Sequence, residues 1–347
     1  MKQNQYYPID LRSDTVTKPS LAMREAMMKA EVGDDVFGED PTVNRLQEKA
    51  AELFKKEAGL FMASGTMANE VAIKTHTQPG DEVITDELSH IVNFETGAPG
   101  LLSGVNLHTL PTANGILTAD QVRKAIRPDA LPNPHTSLIS LENTHNYGGG
   151  SIYPIETIQS IASVAREYSL KIHLDGARIF NASIASGVLV YEYATYCDSV
   201  SFCLSKGLGA PVGSVLLGTK DFIEKARRYR KIFGGGMRQV GILAAAGIYA
   251  LDNNIERLAD DHYNARLLAQ AFHNTETFDI YPDEVKTNII IVKIKKPSLT
   301  SQQAAGVLRE YGILMLPFGA RSIRAVTHLD VSKQDILEAC KRIGKFF

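Results

Sequence analysis

Short apolar runs bounded by turn residues recur through the first two thirds of the chain, and they predict buried strands of a parallel sheet. The clearest runs are Gly59–Ala63, Glu82–Thr85, Ser137–Leu141, Lys171–Leu174, Ser199–Leu204 and Gly213–Leu217. Amphipathic patterns lie between several of them, and Pro154–Tyr168 places on one face Ile155, Ile158, Ile161, Ala162 and Ala165. Strands that alternate with such helices predict an α/β fold, in which helices cover both sides of a mostly parallel sheet.

The pattern changes after about Phe233. Two successive helices without a strand between them are predicted at Met237–Leu251 and Ile255–His273. A strand, a helix, two strands and a last helix then follow, namely Asn288–Ile294, Thr300–Tyr311, Ile313–Pro317, Ser322–Thr327 and Lys333–Phe346. This order predicts a large cofactor-binding domain over residues 1–252, including the N-terminal segment, and a small C-terminal α+β domain over residues 253–347.

The composition is that of an ordinary globular chain, because 44% of the 347 residues are hydrophobic and 22% are charged. A net charge of −2 gives no electrostatic reason to expect nucleic acid or an acidic membrane surface as a partner. Three cysteines without paired spacing argue against disulfides and against a zinc site, so we expect no metal. The chain shows no signal-peptide pattern and no apolar run near the roughly 18 residues of a spanning helix. We therefore expect a cytoplasmic protein.

A lysine follows one of the predicted buried strands. Lys206 comes directly after Ser199–Leu204 and precedes Gly207 and Gly209. The carboxyl ends of strands are where open α/β sheets bind ligands, and glycines allow a flat ring to approach the backbone. A lysine amine partly removed from water is a workable nucleophile. A surface lysine in a loop would give the same local pattern, and Lys206 alone favours that simpler interpretation.

A carboxylate at the end of the preceding strand favours a functional role for Lys206 over a surface lysine in a loop. Asp175 follows the run Lys171–Leu174, 31 residues before Lys206. Pyridoxal phosphate acts as an electron sink when an aspartate keeps its ring nitrogen protonated. An Asp-Gly pair alone is a common turn signal, but an aspartate and a lysine at neighbouring strand ends are typical of this cofactor. Arg178 could reach the ring hydroxyl or the carboxylate of a substrate.

Two further strand ends carry candidate residues. Ser64, Gly65 and Thr66 lie between a predicted strand and an amphipathic helix, where free N–H groups and the helix dipole would bind a phosphate. Ser64 or Thr66 could equally be a plain helix N-cap. His90 follows Glu82–Thr85 and could stack on a pyridine ring and act as a base, or be an ordinary structural histidine.

Taken together, the motifs of this chain resemble those of the low-specificity L-threonine aldolases, a family of fold-type I pyridoxal phosphate-dependent enzymes. The resemblance runs from Asp10 to about Val331. It is carried by the segments Asp10–Thr17, Gly33–Pro41, Ala63–Asn69, Glu142–Asn146, Leu174–Arg178, Ser205–Gly207, Gly234–Gln239 and Arg324–His328. The stretch Tyr147–Ser151 is less regular than the rest.

The resemblance implies a set of cofactor contacts. Pyridoxal phosphate would be held covalently by Lys206, with Asp175 at its ring nitrogen and His90 stacked on the ring. The phosphate would be bound by the segment Ser64, Gly65 and Thr66. A neighbouring subunit would contribute Lys231 and Arg238 near the phosphate, in a homotetramer built as a dimer of dimers.

The resemblance also implies the substrate and the reaction. The α-carboxylate of an amino-acid substrate would be bound by Ser13, Arg178 and Arg324. The expected reaction is retro-aldol cleavage of L-threonine, L-allo-threonine and other β-hydroxy-α-amino acids to glycine and an aldehyde. The base that takes the proton of the β-hydroxyl is left open between His90, His135 and a water oriented by Glu95.

Three alternatives compete with this prediction. Another fold-type I enzyme, such as a β-eliminating lyase or an aminotransferase, would share the cofactor residues, although Asp10–Thr17 and Gly234–Gln239 favour the aldolase. A binding protein without enzymatic activity would not need a lysine, an aspartate, a histidine and a phosphate site at four strand ends. A nucleotide-dependent dehydrogenase would need a GxGxxG turn after an early strand, and the sequence has none.

Overall fold

The computed structural model describes residues 6–346 of the chain. Its strands are β1 (Ile9–Asp10), β2 (Ala58–Met62), β3 (Glu82–Asp86), β4 (Asn106–Leu110), β5 (Thr136–Glu142), β6 (Lys171–Asp175), β7 (Ser199–Cys203), β8 (Ser214–Gly218), β9 (Phe278–Tyr281), β10 (Ile289–Ile294), β11 (Ile313–Leu314), β12 (Leu316–Pro317) and β13 (Ser322–Val326). Its α-helices are α1 (Leu21–Met28), α2 (Pro41–Phe54), α3 (Gly65–His76), α4 (His90–Asn93), α5 (Ala119–Ala125), α6 (Ile155–Glu167), α7 (Ile179–Ser186), α8 (Val190–Thr195), α9 (Lys220–Ile232), α10 (Gly241–Asn253), α11 (Leu258–His273), α12 (Ser301–Glu310) and α13 (Lys333–Phe346). Shorter helical turns lie at Asp14–Val16, Asp35–Phe37 and Pro99–Ser103.

Seven strands form the central sheet in the order β2-β8-β7-β6-β5-β3-β4. Neighbouring strands are parallel, except that β8 runs antiparallel to both β2 and β7. The predicted α/β fold with a mostly parallel sheet is therefore confirmed. Because β8 alone is reversed, the carboxyl ends of β2, β3, β5, β6 and β7 lie at one edge of the sheet.

Hydrophobic patterning explains most of this architecture. Helix α6 buries Ile158, Ile161, Ala162 and Ala165 as predicted, and Ile155 packs partly buried against the same core. Strand β4 was not predicted, because it is a partly exposed edge strand with the polar sequence NLHTL. No helix within residues 6–346 is long and apolar enough to cross a membrane.

The C-terminal part has its own antiparallel sheet, in the order β12-β13-β10-β9, and its own apolar core. The run predicted as one strand at Ile313–Pro317 is divided, because β11 pairs with β1 while β12 pairs with β13. Strand β1 brings Ile9 and Leu11 into this second core, although the sequence prediction placed the N-terminal segment with the large domain. The boundary of the two domains near residue 252 stays a prediction.

Helix α10 begins at Gly241, later than the predicted Met237. The four residues before it are held instead by the segment Gly33–Pro41, since the carbonyl of Arg238 accepts the N–H of Asp35 and the carboxylate of Asp40 accepts the N–H of Gly241. Asp40 also caps α2, where it accepts the N–H groups of the second and third helical residues. This contact packs α10 beside α2.

Candidate active site

The carboxyl ends of several central strands bring together one group of polar side chains. Asp175 is the last residue of β6, and Lys206 follows the end of β7 by three positions. His90 begins α4 after β3, and Ser64 caps α3 after β2. The structure thus places side by side the loops that the sequence predicted to carry a lysine, an aspartate, a histidine and a phosphate-binding turn.

Asp175 is a buried carboxylate, only 5% exposed. Its Oδ2 accepts a hydrogen bond of 2.7 Å from Nδ2 of Asn69, and its Oδ1 accepts the N–H of Ala177 at 3.0 Å. Burial by itself raises the pKa of Asp175, but the nearby charges of His90 and Lys206 and the bond from Asn69 outweigh burial and lower it. Asp175 therefore carries a negative charge at neutral pH.

Asn69 of α3 connects the buried groups around Asp175. Its Nδ2 also donates to Oε1 of Glu95 at 2.9 Å, while its Oδ1 accepts the hydroxyl of Ser201 at 3.1 Å and lies 3.2 Å from Nε2 of His173. The sequence prediction included Asn69 only as the end of a motif. The sequence signal that could have identified Asn69 is its polar side chain among the inward-facing positions of an amphipathic helix.

His90 is held at both its ring and its backbone. Nδ1 of the ring lies 2.7 Å from Oε1 of Glu95, and the backbone N–H donates to Oε2 of Glu142 at 2.7 Å. Because a carboxylate can only accept, Nδ1 carries the hydrogen and Nε2 is the free ring nitrogen. Burial lowers the pKa of His90, but the bond to Glu95 and the charge of Asp175 outweigh burial and raise it.

Glu142, the last residue of β5, links His90 to the arginine side of the site. Its Oε1 accepts the N–H of Asn146 at 2.9 Å. The amide oxygen of Asn146 in turn accepts Nη1 of Arg324 at 2.8 Å. The sequence motif contained Glu142 and Asn146, but only the structure shows that one carboxylate anchors both loops.

The two predicted carboxylate-binding arginines differ in their surroundings. Arg178 donates from Nε and Nη2 to the two carboxylate oxygens of buried Asp14, each at 2.7 Å, so its charge is compensated. Arg324 is 9% exposed and donates to the neutral oxygens of Asn146 and of the Arg12 backbone, and its Nε has no hydrogen-bond partner within residues 6–346. Burial and the charge of Arg178 lower the pKa of Arg324 to about 10. Arg324 is thus a buried cation suited to an incoming carboxylate.

Ser13, the third predicted carboxylate contact, lies next to Asp14 in the chain. Its hydroxyl oxygen caps the helical turn Asp14–Val16 and accepts the N–H of Thr15 at 3.2 Å. This cap holds the N-terminal segment in place where Asp14 meets Arg178.

The predicted phosphate-binding turn is the N-terminus of α3. The Ser64 hydroxyl caps the helix by accepting the N–H of Met67 at 3.1 Å. The N–H groups of Gly65 and Thr66 precede the first one bonded within the helix, so they are positioned for an anion. A Cβ on Gly65 would lie 2.8 Å from Sγ of Cys203, so a side chain does not fit at this position.

The structure does not bring every predicted residue to this group. His135 precedes β5, and its carbonyl accepts the N–H of Glu82 at the start of β3. Within the chain it therefore lies at the opposite edge of the sheet from Lys206. Lys231 is exposed, and Arg238 is an exposed partner of Asp34 at 2.9 Å.

Glu95, predicted to orient a water at the substrate, has hydrogen-bond partners of its own in the structure. Its carboxylate is fully buried and bonded to His90 and Asn69. The structure makes Glu95 a partner of His90, and a water oriented by Glu95 stays a prediction. The ligand atoms of His90, Glu95 and Asp175 lie within 4.8 Å of one another, a spacing that could hold a metal ion. The hydrogen bonds among these groups and Asn69 account for that spacing.

The comparisons with known proteins agree with this fold. The chain superposes on a threonine aldolase of Leishmania major with a TM-score of 0.83 and 20% identity, over 97% of this chain and 99% of that one. The architecture is that of the fold-type I pyridoxal phosphate-dependent enzymes. The family model described as beta-eliminating lyase matches residues 10–296.

Comparison with curated relatives identifies the family of the chain more specifically. The chain is 47% identical to the low specificity L-threonine aldolase of Escherichia coli strain K12, over 95% of this chain and 96% of that protein. It is 43% identical to the low-specificity L-threonine aldolase 1 of Arabidopsis thaliana, over 94% of this chain and 93% of that protein. The chain belongs to the beta-eliminating lyase family, and within it to the low-specificity L-threonine aldolases.

Proposed function

We propose that this chain is a pyridoxal phosphate-dependent aldehyde-lyase that cleaves L-threonine and L-allo-threonine to glycine and acetaldehyde and accepts other β-hydroxy-α-amino acids. The observation that carries this proposal is the grouping of Lys206, Asp175 and His90 at one edge of the central sheet. Arg324, whose Nε has no hydrogen-bond partner within residues 6–346, is linked to this group through Asn146 and Glu142. The relatives described above support the choice of substrate.

The residues present fit the cofactor. The side-chain amine of Lys206 makes no hydrogen bond to the residues that the structure describes, and its charge acts on the carboxylates of Asp14 and Asp175. A buried, charged Asp175 suits a protonated ring nitrogen, and the N–H groups of Gly65 and Thr66 suit a phosphate. When bound, the cofactor supplies an electron sink for a bond at the α-carbon of the amino acid.

The side chains of the chain supply binding, orientation and proton transfer. Arg324 binds the α-carboxylate and restricts rotation of the substrate about its α-carbon. Nε2 of His90 accepts the proton of the β-hydroxyl, a step for which a positioned base typically contributes about 10²–10⁴-fold. Glu95 stabilises the positive charge that His90 then carries.

The experiment that tests the proposal follows acetaldehyde from each threonine isomer by coupling it to NADH oxidation. Both isomers should give acetaldehyde and glycine in equal amounts. Formation of ammonia and a keto acid from L-serine, without acetaldehyde from either threonine isomer, would instead identify a β-eliminating lyase. Amino-group transfer to a keto acid would identify an aminotransferase.

A row of aromatic rings extends across the site from His90 to Arg324. The centroid distances are 5.4 Å from His90 to Phe94, 5.5 Å from Phe94 to Tyr147 and 4.3 Å from Tyr147 to Phe318. The guanidinium of Arg324 lies 5.2 Å from the ring centroid of Phe318. Tyr147 belongs to the stretch that was least regular in the sequence. The row offers apolar surface to the substituent on the β-carbon of a substrate.

Removing the central ring of this row should change substrate preference. We expect Tyr147→Ala to lower kcat/KM for β-phenylserine about 2- to 10-fold more than for L-threonine, because a ring contact contributes about 0.5–1.5 kcal/mol. The measurement is the ratio of the two kcat/KM values. Tyr147→Phe, which keeps the ring, should keep the ratio. Equal losses for both substrates in Tyr147→Ala would show that the row does not contact the β-substituent.

A further inference from the structure

A second buried carboxyl group lies beside Glu95. Glu70 follows Asn69 on α3 and is only 1% exposed. Both of its carboxyl oxygens, and Oε2 of Glu95, are buried without a hydrogen-bond partner in the part of the chain that the structure describes. Unpaired buried oxygens of this kind are costly, so three of them at one place need an explanation.

The two carboxyl groups face each other at hydrogen-bonding distance. As two carboxylates they would both be acceptors, and they would repel each other in a buried environment. A single proton between them provides a donor for Oε2 of Glu95 and removes one of the two charges. One proton on the pair would thus account for the unpaired oxygens.

The surroundings decide which carboxyl group holds this proton. Oε1 of Glu95 accepts hydrogen bonds from Asn69 at 2.9 Å and from His90 at 2.7 Å, and both favour the charged form. Glu70 receives no such bond from any residue that the structure describes. Burial, followed by the charge of Glu95, raises the pKa of Glu70 to about 9.

We infer that Glu70 is a neutral carboxylic acid that donates a hydrogen bond to Oε2 of Glu95 and so keeps Glu95 charged opposite His90. Glu70 is then a positioning residue, which acts through Glu95 on the ring nitrogen of His90. The charged groups that act on His90 besides Glu95 are Asp175, Lys206 and Glu142, and they come from three different strand ends. The catalytic consequence rests on the proposed function, whereas the protonation state of Glu70 does not.

Infrared spectroscopy of the full-length protein as purified tests the protonation state without turnover. The difference spectrum of wild type minus Glu70→Gln at neutral pH should show the carbonyl band of a protonated carboxylic acid, and this band should shift in deuterium oxide. Glu156→Gln, at an exposed position of α6, should give no such band. Absence of the band in the Glu70→Gln difference spectrum would overturn the inference.

The titration of His90 tests the link to the site. Its NMR signal can be assigned by its loss in His90→Asn. Glu70→Gln should leave the pKa of His90 unchanged, because the glutamine amide is also a neutral donor. Glu70→Leu removes the donor that keeps Glu95 charged, so we expect it to lower the pKa of His90 and to shift the acidic limb of the pH profile of kcat/KM downward by about one pH unit. A fall of more than one unit in the pKa of His90 in Glu70→Gln would mean that Glu70 is ionised.

The two tests also separate this inference from the proposed function. If the infrared band is present and acetaldehyde is not formed, the inference about Glu70 stands and the proposed reaction is wrong. If acetaldehyde is formed and the band is absent, the reaction stands and Glu70 is not the neutral partner of Glu95.

Discussion

Replacement of Arg324 by methionine should lower kcat/KM for L-threonine about 10²- to 10⁴-fold, mostly through KM. The reason is that a bidentate contact to the substrate carboxylate supplies two charge-assisted hydrogen bonds of about 1.5–3 kcal/mol each. Arg324 can make this contact because its Nε has no partner within residues 6–346 and no carboxylate bonds to its guanidinium there. Steady-state kinetics with threonine over a wide concentration range measures the effect.

Two further variants make this prediction specific. Arg324→Lys keeps the charge but loses the planar fork, so its kcat/KM should fall between those of wild type and Arg324→Met. Arg166→Met, on the exposed face of α6, is a matched control that should keep the wild-type KM. An unchanged KM for threonine in Arg324→Met would show that the substrate carboxylate binds elsewhere.

Replacement of Asp175 by asparagine should lower kcat about 10²- to 10⁴-fold, because the loss of one partner from a buried charge pair costs about 3–5 kcal/mol. Asparagine has nearly the same shape and can still accept the N–H of Ala177, but it carries no charge. Its amide group also meets Nδ2 of Asn69, and one of these two donors then lacks an acceptor. Single-turnover measurements with threonine separate this loss from substrate binding.

The control for Asp175 is Asp120→Asn, which removes an exposed carboxylate at the start of α5 and should keep the wild-type kcat. Thermal unfolding of both variants checks that the fold is intact. A kcat of Asp175→Asn within threefold of wild type, with the cofactor still bound, would contradict the assignment of Asp175 to the ring nitrogen.

The strands of the central sheet could be predicted from the sequence because they are buried on both faces and form continuous apolar runs. Strand β4 could not be predicted, since an edge strand with mixed exposure has neither a continuous apolar run nor a regular alternation. The division of Ile313–Pro317 between two sheets also could not be predicted from the sequence. It depends on the pairing of β11 with β1, some 300 residues earlier in the chain.

The candidate site could be predicted in part for the same reason. Asp175, His90 and Lys206 follow recognisable strands, so their meeting at one edge follows from the parallel arrangement. Asp14 neutralises the charge of Arg178, but the two residues are 164 positions apart in the chain. Local sequence patterns could not predict this ion pair. Glu70 resembles any polar residue of a surface helix, and only the packing of α3 against the loop of Glu95 shows that it is buried.

The central claim is that Lys206 carries the cofactor, and borohydride reduction of the purified protein followed by peptide mass spectrometry tests it most directly. The absorbance that pyridoxal phosphate gives near the visible edge when it is linked to a lysine should disappear on reduction. The mass of a reduced pyridoxyl phosphate group should then be found on the peptide that contains Lys206, and Lys206→Ala should carry none. An adduct on another lysine, or no adduct in a protein that still cleaves threonine, would contradict the account.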